Sequence, residues 1–506
     1  MAKSRSKKAL LNTGFELILE VVTAVCSFIL PRLILSYFGS AYNGITSSIS
    51  QFISCVALLK SGIGSVTRAA LYKPLAENDS EGISAIVNAT SGFMRRVALI
   101  FSASIVVFSA LYPFLVSDEF DWMFAFTLAL ILSISTFVQY FFGLSYQMVI
   151  QADQRNYIIS IANIVTTLLN TVVASVMIVM GFGIHAVKLG SAFVFIIAPV
   201  FYNIWVKKHY RINPRIKPNY DIIGERWDAF GHQVANFINL NTDIIIATIF
   251  LNIREVSVYT IYYMVANAVK KVVIAIGSGT TAAFGNMIAK KEHKLLKKRF
   301  AQFELLICFV STVLLVTTAV MFVPFISVYT SGIKDVNYLQ PVFAYLVCIS
   351  VYFMCMKTPY EQLVYAAGEF KKTRNGAFAE AIINIVLSVS SVFFLGLNGI
   401  VLGTIVAIGY RTIRYHLFVC RNIVKRSRSS LVICFIFSAL SAVCSMLVCS
   451  FLPLSHIHGY MSWLIWALAA AGIVVVITTL FGLAIFRAKM IGTFKTMFSI
   501  VSFRKK

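Results

Sequence analysis

Apolar residues in this chain run in long blocks, separated by short polar connections rich in lysine and arginine. Fourteen blocks can be marked. They lie near 15–38, 43–72, 90–116, 121–150, 158–180, 184–206, 227–251, 256–289, 300–330, 339–367, 374–396, 399–420, 431–453 and 461–486. A helix needs about 20 apolar residues to cross the hydrocarbon of a bilayer, so each block can span. The pattern predicts an all-α polytopic membrane protein with about 14 transmembrane helices.

Charge tests that count. If Met1 is cytoplasmic, alternate connections should carry the basic residues. The inner connections on this scheme include "KKHYRINPRIK", "KKEHKLLKKR", "KKTR", "RNIVKRSR" and the basic tails, and they hold 34 of the 44 lysines and arginines. The outer connections hold two, Arg254 and Lys334, and carry acids instead, as in "SDEFD" at 117–121. One span more or fewer would scramble this asymmetry. The expected location is the cytoplasmic membrane, multi-pass, with both termini cytoplasmic.

Composition agrees. Of 506 residues, 59% are hydrophobic and 13% charged, with mean hydropathy +0.82; a soluble chain carries about twice that charged fraction. The net charge of +24 does not point to nucleic acid, because most of it is orientation charge beside an anionic inner leaflet. Nine cysteines are scattered through apolar segments without CxxC or Cys/His ligand spacing. They read as small buried hydrophobes, and no metal site is expected. The N-terminus starts like a signal peptide, but Glu16 and Glu20 interrupt its apolar region, so it reads as a retained first span.

A repeat appears at an offset of about 215 residues. "YNGITSSISQFISCVALLKSGIGSVTRAALYKPLA" at 42–76 has a counterpart in "YTIYYMVANAVKKVVIAIGSGTTAAFGNMIAKKE" at 259–292. "YQMVIQADQRNYIISIANIVTTLLN" at 146–170 matches "YEQLVYAAGEFKKTRNGAFAEAIIN" at 360–384, and "GFGI" at 181–184 matches "LNGI" at 397–400. Each unit holds six spans, so both run the same way through the membrane, about an axis along its normal. The expected organisation is an N-terminal six-helix lobe over 1–206, a cytoplasmic linker over 207–226 and a C-terminal six-helix lobe over 227–428. Two extra helices and a basic tail follow over 429–506.

With "RLILSYFGSAYNGI" in spans 1–2, "NTDIIIATIFLNIREVSVYTIYYMVA" in spans 7–8 and "YAAGEFKKT" to "GLNGIVLGT" in spans 10–12, the chain resembles the multidrug/oligosaccharidyl-lipid/polysaccharide exporter superfamily. Within it the chain looks most like the polysaccharide-transport branch, the Wzx-type flippases. The resemblance implies a MATE-like fold of two pseudo-symmetric lobes. It also implies outward movement of a polyprenyl-(pyro)phosphate-linked oligosaccharide, a precursor of O-antigen, capsule, teichoic acid or exopolysaccharide, by alternating access through a cationic central cavity. Expected partners are that substrate, membrane lipids, and the glycan polymerase and glycosyltransferases of the same pathway. No enzyme activity and no cofactor are expected; a coupling ion, H⁺ or Na⁺, is left open. The alternatives are a cation-coupled multidrug exporter of the same superfamily, which an acid-lined cavity would suit better, and a membrane glycan polymerase or glycosyltransferase. Every outer connection is about ten residues or fewer, too short for the catalytic domain an enzyme needs.

Eight basic residues remain inside spans. A charge deep in a bilayer costs at least ~2.5 kcal/mol, so it normally faces a watery cavity or a partner. Lys188 lies close enough to an outer end to snorkel. Arg32, Lys60, Lys270, Lys271, Arg411 and Arg414 are the candidates for a cationic cavity, where Arg offers a bidentate fork and Lys a mobile point charge for phosphate. The resemblance implies that role for lumen-facing cations. Lys357 has Glu361 within pairing reach four residues on, and Asp243 could pair with a cation or bind a coupling ion. Tyr259, Tyr262 and Tyr263 are candidates for a sugar path, although most membrane aromatics simply pack. Pro31 opens a helix beside Arg32, and Gly62, Gly64, Gly277 and Gly279 loosen corresponding spans, so these five are candidate hinge positions.

Overall fold

The computed structural model describes residues 2–56, 63–218, 220, 241–278, 280–454 and 457–502. The described parts of the predicted blocks lie on helices, because a backbone in hydrocarbon has no water to satisfy its polar groups. In chain order they are α1 (Ala2–Phe38), α2 (Ser40–Val56), α3 (Ile63–Glu77), α4 (Ser80–Leu111), α5 (Trp122–Val138), α6 (Leu144–Ala152), α7 (Asn156–Val179) and α8 (Ile184–His209). Then come α9 (Asn241–Phe250), α10 (Ile253–Ser278), α11 (Thr281–Ala289), α12 (His293–Tyr329), α13 (Pro341–Ala366), α14 (Phe370–Leu395), α15 (Leu397–Phe418), α16 (Ser429–Cys449) and α17 (Tyr460–Ser502). No strand occurs among the described residues.

Eleven helices among the described residues are long and apolar enough to cross a membrane. Fourteen exceeds eleven by three identifiable segments. Helices α2 and α3 share the block 43–72, whose middle lies outside the described residues; α9 is the described end of the block 227–251; α15 has Arg411 and Arg414 among its apolar residues. Leu99, Val106, Phe193, Phe394, Val443 and Leu468 are exposed on these helices, and an apolar surface this extensive marks contact with lipid.

The chain divides into two compact units, Met1–Thr260 and Ile261–Lys506. The repeat is visible in their backbones. Asn78, Gln154 and Gly181 have positive φ, and so do Lys291, Gly368 and Gly396, each about 215 residues further on. These residues turn the chain between helices that correspond: α4 with α12, α7 with α14, and α8 with α15.

In the N-terminal unit, α1 lies along α7, and α8 packs on α5 and α7. Asp79 caps α4, its carboxylate accepting from the backbone N–H of Glu81 at 3.1 Å and of Gly82 at 2.9 Å, which satisfies donors no helical carbonyl can reach. The basic end is fastened by Asp153. It accepts from Lys8 Nζ at 3.1 Å, pairs with Arg155 Nε at 2.5 Å and accepts from the Tyr210 hydroxyl at 2.7 Å. Burial, together with that carboxylate, holds the Tyr210 phenol well above its ordinary pKa. At the other end Arg254 pairs with Glu119 at 2.8 Å, joining basic and acidic residues of two predicted outer connections.

In the C-terminal unit, α14 and α15 run at close range. A Cβ on Gly403 would lie 2.3 Å from Ser388 Oγ and 2.6 Å from the Ser388 backbone nitrogen, so glycine is what admits this approach. Ser388 donates to the Ile400 carbonyl at 3.0 Å, and Asn384 to Thr404 Oγ1 at 2.9 Å. Helices α16 and α17 pack on each other and on α12, where Trp463 Nε1 donates to the Met321 carbonyl at 3.2 Å. Glu304 fastens the end of α12 to the following elements: it pairs with Arg426 at 2.5 Å and accepts from the Tyr360 hydroxyl.

Candidate functional site

Arg32 is half-buried on α1, one residue after Pro31, and the helix runs on through both to Phe38. Lys60 and Gly62 lie outside the described residues. Asp243, on α9, is buried and accepts a hydrogen bond from the Tyr259 hydroxyl at 2.8 Å. Around it α2 faces α9 and α10 through a polar seam that pattern reading missed. Asn43 Nδ2 donates to Ser257 Oγ at 2.8 Å, Thr248 donates to Ser48 at 2.9 Å, and Gln51 bonds Asn241. These residues do not stand out in a hydropathy profile, though polar side chains recurring along a span are their signal. Lys188 is half-buried on the wall of a cavity of about 330 Å³ inside the N-terminal unit, with Ser50, Ser135 and Asn170.

In the C-terminal unit Lys270 and Lys271 separate. Lys270 is half-buried, with Cys355, Lys357 and Lys271 as electrostatic neighbours, whereas Lys271 is exposed. Lys357 and Arg411 converge on one acid. Lys357 Nζ lies 3.4 Å from Glu380 Oε1, and Arg411 Nε lies 3.6 Å from Glu380 Oε2. The hydrogen-bonded partner of Lys357 is therefore Glu380 on α14. Glu361, its neighbour on the same helix, instead accepts from the Tyr365 hydroxyl at 3.0 Å. Arg411 is 5% exposed and also donates to the Thr373 carbonyl at 2.8 Å and to the Tyr415 hydroxyl at 2.7 Å. It is a buried strut between α14 and α15. Arg414, three residues on, is exposed and stands over the Tyr410 ring.

The three tyrosines are buried, and Tyr262 is the most firmly held of them. Its hydroxyl donates to the Tyr338 carbonyl at 2.7 Å while its ring packs against Phe322 and Phe343. Tyr259 is held by Asp243, and Tyr263 is 9% exposed. Of the candidate hinge positions, Pro31 lies within α1, Gly64 at the start of α3 and Gly277 one residue before the end of α10; Gly279 lies outside the described residues. Two wider turns, with i→i+5 hydrogen bonds, were not expected: Gln139–Gly143 between α5 and α6, and Val419–Ile423 after α15. Such turns concentrate at functional sites in helical proteins.

Helices of this number and length, with a repeat of helix pairs, define a polytopic helical membrane protein. Among the solved structures it is similar to are a flippase and transporters. A structure of the lipid II flippase MurJ in an inward closed conformation matches with TM-score 0.73 and 15% identity, over 94% of this chain and 99% of that one. An inward-facing multidrug resistance MATE family transporter of the MOP superfamily matches with TM-score 0.61 and 14% identity, over 82% and 98%. The eukaryotic MATE transporter AtDTX14 matches with TM-score 0.57 and 13% identity, over 84% and 98%. At these identities the likeness is one of fold: the chain has the fold shared by MurJ and the MATE transporters. No family model matches the chain, and no curated protein matches it.

Proposed function

We propose that this protein is a flippase of the cytoplasmic membrane that moves a lipid-linked oligosaccharide outward by alternating access. The observation that carries the reading is the sign of its deep charges. Arg32 and Lys270 are half-buried cations well inside apolar helices, where placing a charge is expensive. A polyprenyl-linked sugar carries phosphate or pyrophosphate between lipid and glycan, and that anion needs donors along its way across hydrocarbon. Guanidinium and ammonium groups supply them. Substrates of a multidrug exporter that are themselves cations would be repelled by the same groups. The fold likeness to MurJ, a lipid II flippase, supports the substrate class. The concentration of basic residues in alternate connections supports a cytoplasmic placement of both termini.

The reading narrows the candidate set. Arg32, Lys60, Lys270 and Lys271 remain as phosphate-contacting cations, while Arg411 serves as a strut. Asp243 and Glu380 hold hydroxyl and cationic partners within the units. The test is translocation of a fluorescent polyprenyl-pyrophosphate oligosaccharide in vesicles carrying the wild-type chain, R32Q or K270Q. Both variants should reconstitute normally and flip substrate at least tenfold more slowly. Wild-type rates in both would overturn the cationic path, and no flipping by the wild-type protein beside efflux of a cationic dye would favour drug export.

A further inference from the structure

Outside the deep cations, the strongest convergence of charge lies where α15 ends. A cleft of about 330 Å³ opens there, lined by Lys372, Arg411, Arg414, Arg421 and Arg428, with no carboxylate on its wall. Arg414 lies on the last turns of α15, Arg421 on the wider turn after it and Arg428 in the connection that follows. The wider turn Val419–Ile423 carries Arg421 beyond the end of α15. Arg428 is brought back beside it because His416 Nε2 donates to the Arg428 carbonyl at 2.9 Å. The floor is fixed: Arg411 is held by Glu380, Thr373 and Tyr415.

The charges on the wall are not equal. Glu369 offsets Lys372 at 2.9 Å, and Glu380 offsets Arg411. Arg414, Arg421 and Arg428 are exposed, and among the described residues none of the three is in an ion pair. Orientation of a membrane helix needs basic residues near its inner end but does not need them to converge on one concavity. The cleft also has an apolar side, formed by Leu417, which is 38% exposed, and half-buried Phe418. Three guanidinium forks suit phosphate oxygens, and an apolar wall beside them suits the chain of an amphiphile rather than a free ion. On the sidedness set by the basic connections, this cleft faces the anionic inner leaflet.

We propose that the cleft at the end of α15 is a binding site for the phosphate head group of an anionic inner-leaflet lipid, with Arg414, Arg421 and Arg428 as its ligands. This site is separate from the transport path. It would hold α14, α15 and the start of α16 against the membrane surface through a bound lipid.

The test measures binding rather than transport, so its result is independent of the flippase reading. Full-length protein in detergent would be titrated with phosphatidylglycerol, phosphatidylcholine and inorganic pyrophosphate, with lipid retention read by native mass spectrometry and stabilisation by thermal unfolding. Phosphatidylglycerol should be retained and stabilising, and phosphatidylcholine inert. R414Q/R421Q/R428Q should bind phosphatidylglycerol about a hundredfold more weakly. Should the triple variant not purify as a single species, R421Q alone should show about a fivefold loss on the same scale. Wild-type affinity in either variant, or equal retention of phosphatidylcholine, would overturn the site. Displacement of phosphatidylglycerol by equimolar pyrophosphate, with the same stabilisation, would overturn the lipid assignment in favour of a free anion.

Discussion

Glu380 pairs with two cations inside the helical bundle, half-buried Lys357 at 3.4 Å and buried Arg411 at 3.6 Å. Removing one partner of a buried ion pair is costlier than never having had the pair, because the survivor stays desolvated. Glu380→Gln should therefore destabilise the protein by about 3–5 kcal/mol, and more than Lys357→Met, which leaves the Arg411–Glu380 contact in place. The measurement is thermal unfolding followed by a thiol-reactive fluorophore, for which the buried free cysteines Cys308, Cys348 and Cys355 are internal reporters. Equal melting temperatures for wild type and E380Q would remove Glu380 from this role. Tyr262 allows a sharper separation of packing from transport. Tyr262→Phe deletes the hydrogen bond to the Tyr338 carbonyl and the one accepted from the Gln340 N–H at 3.1 Å; it should cost about 1–3 kcal/mol without slowing translocation, and a selective loss of transport would support a sugar path at this tyrosine. The deep cations themselves were readable from sequence, because a lysine or arginine inside an apolar block is conspicuous. Their partners were not. Lys357 has Glu361 four residues away in sequence, yet bonds an acid on the next helix, and only packing decides between the two.

The pairing of α14 with α15 depends on small residues facing small residues. Gly403 brings the backbone of α15 so near Ser388 that a Cβ would stand 2.6 Å from the Ser388 nitrogen, and backbone cannot rotate out of the way as a side-chain tip can. Gly403→Leu should therefore overpack the interface and lower stability by about 1–3 kcal/mol, and Ser388→Gly should fail to rescue it. The same thiol-reactive melt checks both. Full rescue by S388G would mean that the serine hydroxyl, not the helix backbone, sets the approach. Helix pairs of this kind were legible as a repeat, since the turns between them need particular residues: Gly181 and Gly396 occupy equivalent positive-φ positions in the two units. Gln139–Gly143 and Val419–Ile423 left no such mark. A turn with i→i+5 bonds uses ordinary helix-forming residues, so neither hydropathy nor turn chemistry announces it. The polar seam of Asn43, Ser48 and Gln51 was hidden for a related reason, because single polar residues spaced along a long apolar block are averaged with their apolar neighbours.

At the scale of the whole chain the decisive quantity is parity. Asp118 and Ser427 are exposed residues in two connections predicted to lie on opposite sides of the membrane, separated by the nine blocks from 121–150 to 399–420. Seven of these nine contain helices that are long and apolar enough to span by themselves. The other two are α9, the described end of its block, and α15, whose arginines dilute its apolar stretch. An odd number of crossings separates the two sites on opposite faces; loss of either α9 or α15 as a span would return them to the same face. In a background lacking the exposed Cys55, Asp118→Cys should react with an impermeant maleimide in intact cells. Ser427→Cys should react only after the membrane is opened. Reaction of both in intact cells, or of neither, would make one of those two segments non-spanning and would reverse the sidedness of everything on one side of it. The cleft of Arg414, Arg421 and Arg428 would then be moved away from the anionic leaflet or the N-terminus would be moved out of the cytoplasm. The labelling pattern thus ties the charge asymmetry, the repeat and the lipid site to one observable.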